Sequence, residues 1–153
     1  CLISIHTTLA GGDFYGLGYW TRGNAEICLL AKRGKPKRRS AGLTAIVAKT
    51  SAGAVSYMPV ARVANIPSLL KDLKKQGIWV YGTAAEGTTR LYDADLKGPA
   101  AIIIGSEGDG MSRLVAENCD FLVSIPMRGR ISSLNASAAA AILLYEAVRQ
   151  RTV

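Results

Sequence analysis

The sequence is poor in the residues that most enzymes use for nucleophilic or metal chemistry. It has one histidine, His6, and three widely separated cysteines, Cys1, Cys28 and Cys119. No Ser-His or Cys-His catalytic arrangement can be built around His6, which we interpret as an ordinary surface or core residue. Because the cysteines lack metal-ligand spacing, we expect reduced thiols, no metal site and a cytoplasmic protein.

Long apolar runs and several familiar motifs are also lacking. No run approaches the ~20 apolar residues of a membrane-spanning helix, and the sequence does not open with a charged-then-apolar signal peptide. Neither a G-x-G-x-x-G sequence nor a glycine-rich loop ending in Gly-Lys-Ser/Thr is present. We therefore expect no membrane association and no nucleoside triphosphate site.

Acidic residues are scarce relative to basic ones, and the imbalance favours polyanionic partners. Eleven Asp and Glu stand against nineteen Lys and Arg, which gives a formal net charge of +8. Part of the excess lies in residues 32–39, KRGKPKRR, where Gly34 and Pro36 break any helix. This basic loop is either a solvated linker or a contact to a nucleic-acid phosphate backbone.

The length of 153 residues predicts one domain, in which strand-like and helix-like patterns alternate. Asn65, Pro67 and Gly77 predict a helix over residues 66–76 with a cap, a first-turn proline and a stop. In the connection 84–98, Leu91 and Tyr92 are expected to pack against the core. The alternation predicts an α/β fold with a mostly parallel sheet and helices on both faces. The other predicted elements are strands at Ala25–Ala31, 55–63, 78–81, Ala100–Ile104 and 121–125, and a helix at 134–149.

Residues 101–146 contain two strand-loop-helix units, which we expect to form the functional site. The first loop is GSEGDG, residues 105–110, whose glycines let a ligand approach the backbone. Glu107 and Asp109 there disfavour phosphates and favour a cationic or zwitterionic ligand. The second unit is SIPMRGRISSLN, residues 124–135, where Ser132 or Ser133 is placed to cap the next helix. Asn135 either points into the site or assists that cap.

Alanines at positions 136 and 138–141 leave one surface of the last predicted helix nearly smooth. A smooth surface lets another backbone approach closely, either from the sheet or from a second subunit.

The segments GSEGDGMSRL and SIPMRGRISSLNASAAAAILLYEAVRQR closely resemble the second and third motifs of the SpoU (TrmH-like, SPOUT) RNA ribose methyltransferases. The likeness continues back to about Lys37 and covers roughly three-quarters of the chain. Within the family, the sequence is most similar to the bacterial type that methylates a guanosine 2′-hydroxyl in large-subunit ribosomal RNA.

The resemblance implies an α/β trefoil knot that holds S-adenosyl-L-methionine, a ribose 2′-hydroxyl of ribosomal RNA as methyl acceptor, and a homodimer. By the same resemblance, main-chain and side-chain groups at five positions hold the cofactor: Thr83, Gly105, Ile125, Met127 and Leu134. Three further positions match the polar residues at the family's reaction site: Glu107, Ser133 and Asn135.

The first family motif, N-x-G-A-x-x-R, whose arginine is assigned to activation of the 2′-hydroxyl, has no counterpart here. Residues 14–38, FYGLGYWTRGNAEICLLAKRGKPKR, instead resemble a phage-type adenine-N6 DNA methyltransferase. We therefore divide the chain into an atypical N-terminal segment, residues 1–36, and a SpoU-type domain, residues 37–153. The chain begins at Cys1 rather than at methionine, so we interpret it as a fragment or an incomplete reading frame. Because the two resemblances meet at PKRRS, a chimera joined at that shared stretch is our hypothesis for the change of pattern.

Two alternatives to ribose methylation remain open at this stage. The missing motif is compatible with a non-catalytic dimeric knot domain that binds cofactor or RNA without turnover. A remnant of an adenine-N6 DNA methyltransferase is the other alternative, although the catalytic D/N-P-P-W sequence of that group is absent.

Overall fold

The computed structural model of the chain describes residues 2–7, 25–31, 45, 49, 51–56, 60–63, 65–106, 110–129 and 134–152. Seven strands and three α-helices have their bounds within these ranges, and the single residues 45 and 49 are also helical. The strands are β1 (Leu2–Thr7), β2 (Ala25–Ala31), β3 (Val60–Val63), β4 (Trp79–Thr83), β5 (Thr89–Arg90), β6 (Ala100–Ile104) and β7 (Phe121–Ser124). The helices are α1 (Ile66–Lys75), α2 (Arg113–Glu117) and α3 (Ala136–Thr152), with short 3-10 turns at Ala54–Ser56 and Leu91–Asp93.

All seven strands form one sheet in the order β3-β2-β1-β6-β4-β7-β5. The four strands β6, β4, β7 and β5 pair in parallel, and β2 pairs in parallel with β3. Among the described strands only β1 has the opposite direction to the others, and it is antiparallel to both of its neighbours, β2 and β6. The α/β class and the mostly parallel sheet are therefore confirmed.

Helices cover both faces of the sheet. Successive side chains of each strand point to opposite sides, so one strand contributes to a buried cluster on each face. On β6, Ala101 and Ile103 join the buried cluster that contains α1 and Val115 of α2. Ile102 and Ile104 join the second cluster, which contains Leu143 of α3. The predicted arrangement of helices on both faces is confirmed.

The predicted helix at residues 66–76 is confirmed as α1. The Asn65 side chain accepts a hydrogen bond from the backbone N–H of Ser68 at 3.1 Å, and Pro67 lies in the first turn. Gly77 follows the helix with φ +76°, a conformation in which a residue without Cβ is favoured. Local signals therefore determine both ends of this helix.

Strands from the N-terminal segment 1–36 lie in the same sheet as the rest of the described chain. β1 pairs with β6, with Leu2 opposite Ile104, and β2 pairs with β3, with Cys28 opposite Val60. The division of the chain at residues 36 and 37 stays a prediction.

Three sequence-based expectations differ from the structure. The strand expected over 55–63 begins only at Val60, because hydrogen bonds from Ala54 to Ser51 and from Ser56 to Gly53 hold the preceding residues in a helical turn. Tyr92, expected to pack down, is exposed, whereas its neighbour Leu91 is buried. The last helix begins at Ala136 rather than at residue 134, and it ends at Thr152.

Several expectations lie outside the described residues. These concern the basic loop 32–39, Glu107 and Asp109 in the first loop, and the capping serines of the second loop, Ser132 and Ser133. Across the described ranges, every helix is too short or too polar to span a lipid bilayer.

Candidate active site

A cavity of about 710 Å³ lies where three neighbouring parallel strands reach their carboxyl ends. Thr83 is the last residue of β4, Gly105 directly follows β6, and Ile125 directly follows β7. These three residues line the cavity together with Met127, Leu134 and Asn135. The structure therefore brings together all five positions predicted to hold the cofactor and one of the three predicted reaction-site residues. Glu107 and Ser133 lie outside the described residues.

The loop after β6 forms one wall of the cavity and closes tightly on itself. Ser106 and Gly110 exchange two backbone hydrogen bonds of 3.0 Å, and the Ser106 hydroxyl donates to the Gly110 carbonyl at 3.1 Å. A Cβ added at Gly105 would lie 2.6 Å from the carbonyl carbon of Gly110. Glycine at position 105 is therefore required by direct backbone contact, and this wall has little freedom to move.

Behind this wall, Met111 packs against β4 and Cys119. A Cβ at Gly82 would lie 2.7 Å from the Met111 methyl carbon and 2.6 Å from the Cys119 sulfur. Burial raises the pKa of the Cys119 thiol to about 11, and the thiol donates to the Val115 carbonyl at 3.3 Å. Cys119 is thus a neutral packing residue at physiological pH.

The opposite wall is the beginning of α3, and Asn135 holds it in place. The Asn135 side-chain oxygen accepts a 3.0 Å hydrogen bond from the backbone N–H of Ser137 and a short one from the Ser137 hydroxyl. This is the arrangement of a helix N-cap, so Asn135 takes the capping role that was assigned to Ser132 or Ser133. Asn135 also lines the cavity, so the two readings of this residue are compatible.

The charge distribution around the cavity is simple. Among the described lining residues none carries a charged side chain, and the lining combines apolar side chains with Thr83, Ser106 and Asn135. Arg128 directly follows the lining residue Met127 and is exposed; within the described residues it has no hydrogen bond or ion pair. The beginning of α3 adds the positive end of a helix dipole. The described part of the cavity lining is therefore uncharged, and the described residue Arg128 adds a positive charge beside it.

Some lining residues were not anticipated from the sequence, chiefly Ser106, Met111 and Ala139. Ala139 lies one helical turn after Asn135, and its N–H donates to the Asn135 carbonyl at 2.9 Å. The i, i+4 spacing from Asn135 could have indicated that Ala139 lines the cavity, since it places both residues on one side of the helix. Met111 had no comparable signal, because its place depends on packing against Gly82 and Cys119.

Comparison with known proteins identifies the family. The SpoU rRNA Methylase family matches residues 28–145 of the chain, which include every described cavity residue. The chain belongs to this family.

Two relatives and one solved structure show how far the similarity extends. The chain is 49% identical over 139 residues to the 23S rRNA (guanosine-2′-O-)-methyltransferase RlmB of Vibrio parahaemolyticus, covering 91% of the chain and 56% of that protein. It is 53% identical over 116 residues to RlmB of Xanthomonas campestris pv. campestris, covering 76% and 47%. The crystal structure of the SpoU methyltransferase AviRb from Streptomyces viridochromogenes, in complex with AdoMet, matches with a TM-score of 0.63 and 37% identity, covering 68% and 41%. The chain thus spans about half the length of the curated relatives it matches.

The similarity of residues 14–38 to an adenine-N6 DNA methyltransferase finds no support in these comparisons. The SpoU family match begins at residue 28, inside that segment. The alignment with the Vibrio enzyme covers 139 residues, or 91% of the chain, so it includes most of residues 14–38 as well. β2, which lies within it, pairs in parallel with β3 of the same sheet.

Proposed function

We propose that this SpoU-family chain transfers a methyl group from S-adenosyl-L-methionine to a ribose 2′-hydroxyl of ribosomal RNA. The observation that carries this proposal is the convergence of Thr83, Gly105, Ile125, Met127 and Leu134 on one cavity beside Asn135. Those positions were assigned from sequence motifs alone. Their meeting at the carboxyl ends of parallel strands is what a ligand site in an α/β fold requires.

The cavity suits this cofactor in size and in lining. Its volume of about 710 Å³ lies within the range of ~300–1,000 Å³ that is usual for small-molecule sites. The apolar lining, with Ile125 and Leu134 among it, fits an adenine ring and a thioether chain. Ser106 and Asn135 supply polar groups for the ribose and the amino-acid end. The absence of cationic side chains from the described lining suits a sulfonium cation.

When bound, the cofactor supplies an electrophilic methyl group, toward which a ribose 2′-hydroxyl is a weak nucleophile until its proton is accepted or polarised. We assign that task to the polar residues Glu107, Ser133 and Asn135. Asn135 is held at the cavity wall by its bonds to Ser137, in which its side-chain oxygen is the acceptor, so its part is to orient the hydroxyl rather than to take up the proton. The tight bridge between Ser106 and Gly110 holds the opposite wall in place.

Replacement of Asn135 tests the proposal, provided that the helix cap is preserved. Asn135→Ala should abolish methyl transfer, but it also removes a cap that stabilises by about 0.5–2 kcal/mol. Asn135→Ser is the better variant, since serine caps equally well and lacks the amide. We expect near-normal thermal stability and cofactor affinity, with transfer to ribosomal RNA lost. Transfer at the unaltered rate in Asn135→Ser would contradict the assigned role.

A second candidate is a domain that binds cofactor without turnover, and the missing N-x-G-A-x-x-R sequence favours it. Calorimetric titration with S-adenosyl-L-methionine followed by a methyl-transfer assay separates the two. Saturable binding without transfer supports the non-catalytic domain, whereas transfer supports the enzyme.

We further propose that the chain forms a homodimer through α3. The side of α3 that faces away from the sheet carries an exposed apolar stripe of Ala138, Ala141, Ile142, Tyr145 and Val148. These residues repeat at intervals of three and four, so they share one face of the helix. Contiguous exposed apolar residues of this kind are typical of a protein interface.

The dimer is tested by light scattering on the size-exclusion peak. Tyr145→Asp places a charge in the stripe and should shift the protein to the monomer mass. Tyr92→Asp is the matched control, because Tyr92 is exposed to nearly the same degree, 71% against 73%, but lies outside α3. A dimer that persists in Tyr145→Asp would contradict the proposed interface.

The trefoil knot that the family resemblance implies is also our proposal. It is supported by the close wrapping of residues 84–89 around β7. Ala84 donates to the Val123 carbonyl at 3.0 Å, and the Ser124 hydroxyl donates to the Gly87 carbonyl at 3.2 Å. A crystal structure traced without a break through residues 105–136 would test the knot. If the end of the chain does not thread through a loop formed by the rest of the chain, the knot is ruled out.

A further inference from the structure

The last turns of α3 are hydrogen-bonded to the backbone of residues 94–98, at the end of the helix farthest from the cavity. We call this set of contacts, made by Glu146, Gln150 and Arg151, the α3 clasp. Gln150 donates to the Ala94 carbonyl at 2.9 Å and accepts from the Leu96 N–H at 2.8 Å. Arg151 donates to the carbonyls of residues 96 and 98 at 2.9 and 2.7 Å.

Glu146 fixes the orientation of the Gln150 amide. Glu146 as a whole is only 8% exposed, and its carboxylate accepts a 2.9 Å hydrogen bond from Gln150 and two 2.8 Å bonds from Arg149. The Gln150 amide therefore bonds one side chain and two backbone groups at once. Such a network is specific in geometry, because a shift of the helix would lengthen several bonds together.

The rest of α3 offers little resistance to movement along its axis. The residues that contact the sheet or the cavity are mostly alanines, Ala136, Ala139, Ala140 and Ala147, and the large side chains beneath the helix are Leu143, which is fully buried, and Leu144, which is partly buried. Helices are normally held in axial register by side-chain ridges that fit into grooves. Alanine side chains form only low ridges on the helix surface. The directional hydrogen bonds of the clasp therefore constrain the axial position of α3 more strongly than its side-chain packing does.

We propose that Gln150 is a positioning residue, which through the α3 clasp sets the axial position of α3 and so places Asn135 in the cavity. α3 has 17 residues and is about 25 Å long, so the clasp acts at a distance through one rigid element. A slip by one residue would move Asn135 by about 1.5 Å. Displacements of about 1 Å can reduce catalysis by about a hundredfold. This inference rests on the proposed function of the cavity.

The test compares Gln150→Leu with variants that lose stability elsewhere. Leucine has nearly the volume of glutamine but cannot form the bonds to Ala94 and Leu96. Ile78→Val and Leu73→Ala, in the core on the opposite face of the sheet, are expected to bracket its loss of thermal stability. All proteins are measured for the Kd of S-adenosyl-L-methionine, for kcat and KM on ribosomal RNA, and for amide hydrogen exchange without cofactor.

For Gln150→Leu we expect Kd to rise about tenfold or more and kcat to fall about tenfold to a hundredfold, with KM for RNA little changed. Exchange at Ala139 and Ala140, in the first turns of α3, should accelerate while α1 stays protected. The two core variants should bind cofactor as the unaltered chain does.

Two outcomes overturn the inference: exchange in the first turns of α3 that is unchanged, or effects no larger than those of the core variants at equal thermal stability. Failure of the proposed function would be recognised separately, because then the unaltered chain would not transfer methyl groups to ribosomal RNA, whether or not it bound S-adenosyl-L-methionine. The exchange measurement tests the clasp in either case.

Discussion

Gly105 lines the cavity and is a position at which one added carbon should distort the cavity wall. A Cβ there would lie 2.6, 2.8 and 2.9 Å from three backbone atoms of Gly110 and Met111, whereas ordinary contacts begin near 3.4 Å. All three neighbours are backbone, so no side chain can rotate away. The backbone of Gly110 and Met111 must therefore move by roughly 0.8 Å to accommodate Gly105→Ala.

The expected magnitude follows from the cost of overpacking a rigid site, which is about 1–3 kcal/mol. If that strain falls on the cofactor-binding form, the Kd of S-adenosyl-L-methionine rises roughly 5- to 150-fold. Isothermal titration calorimetry measures the change in Kd, and thermal unfolding reports any strain that appears in the free protein. For a chain of this size, 1 kcal/mol corresponds to a change in Tm of about 2–4 °C.

Gly98→Ala is the matched control, because no atom lies within 4 Å of a Cβ at that position and its φ lies outside the left-handed region. It should leave both Kd and Tm close to their original values. If Gly105→Ala bound the cofactor as tightly as the unaltered chain and unfolded at the same temperature, the reasoning on this wall would be wrong.

Two further predictions concern charged residues. Hydrogen bonds from Arg149 and then Gln150 lower the pKa of Glu146 from 4.5 to about 2. Since the pKa is lower in the folded state, the carboxylate stabilises the protein above about pH 4.5, and this contribution is lost as the pH falls toward 2. Glu146→Gln should remove that part of the pH dependence of Tm. An unchanged dependence of Tm on pH in this variant would argue against a stabilising role for the carboxylate. Arg128→Ala should weaken RNA binding and reduce the slope of log K against log salt by about 0.7, the value for one phosphate contact on a single strand. Arg113→Ala, which removes an exposed partner of Glu117, should leave that slope unchanged.

Elements with strong local signals were predictable from the sequence. Asn65 and Gly77 mark the ends of α1 through capping and a positive φ, and both act within one turn of the chain. β6 was predicted with its observed bounds, because a run of five buried apolar residues is too short for a helix. Local physics decides these elements, so no knowledge of the tertiary fold was needed.

Elements that depend on distant partners were missed. β5 has two residues, and its support is pairing with β7, where Thr89 lies opposite Val123. The strand expected over 55–63 was wrong at its beginning, because Ala52 and Gly53 adopt positive φ angles and lead into a 3-10 turn. Apolar alternation cannot reveal such a turn.

The candidate site was predictable to a similar degree. The motif resemblance supplied Thr83, Gly105 and Asn135 as cavity residues, because these positions occur in recognisable local sequences. It did not single out Met111, although that residue lies within the first quoted motif, because its place at the cavity depends on contacts with Gly82 and Cys119. It likewise did not reveal the clasp at the far end of α3. Both arise from residues brought together only when the sheet has formed.

Transfer of a labelled methyl group tests the central claim most directly. Ribosomal RNA is incubated with the chain and S-adenosyl-L-methionine carrying a labelled methyl group, then digested to nucleosides and separated by mass. The account predicts label on the ribose of a 2′-O-methylated nucleoside, and none when Asn135→Ser replaces the unaltered chain. Label on a base, or no label from a chain shown to be saturated with cofactor, would contradict it.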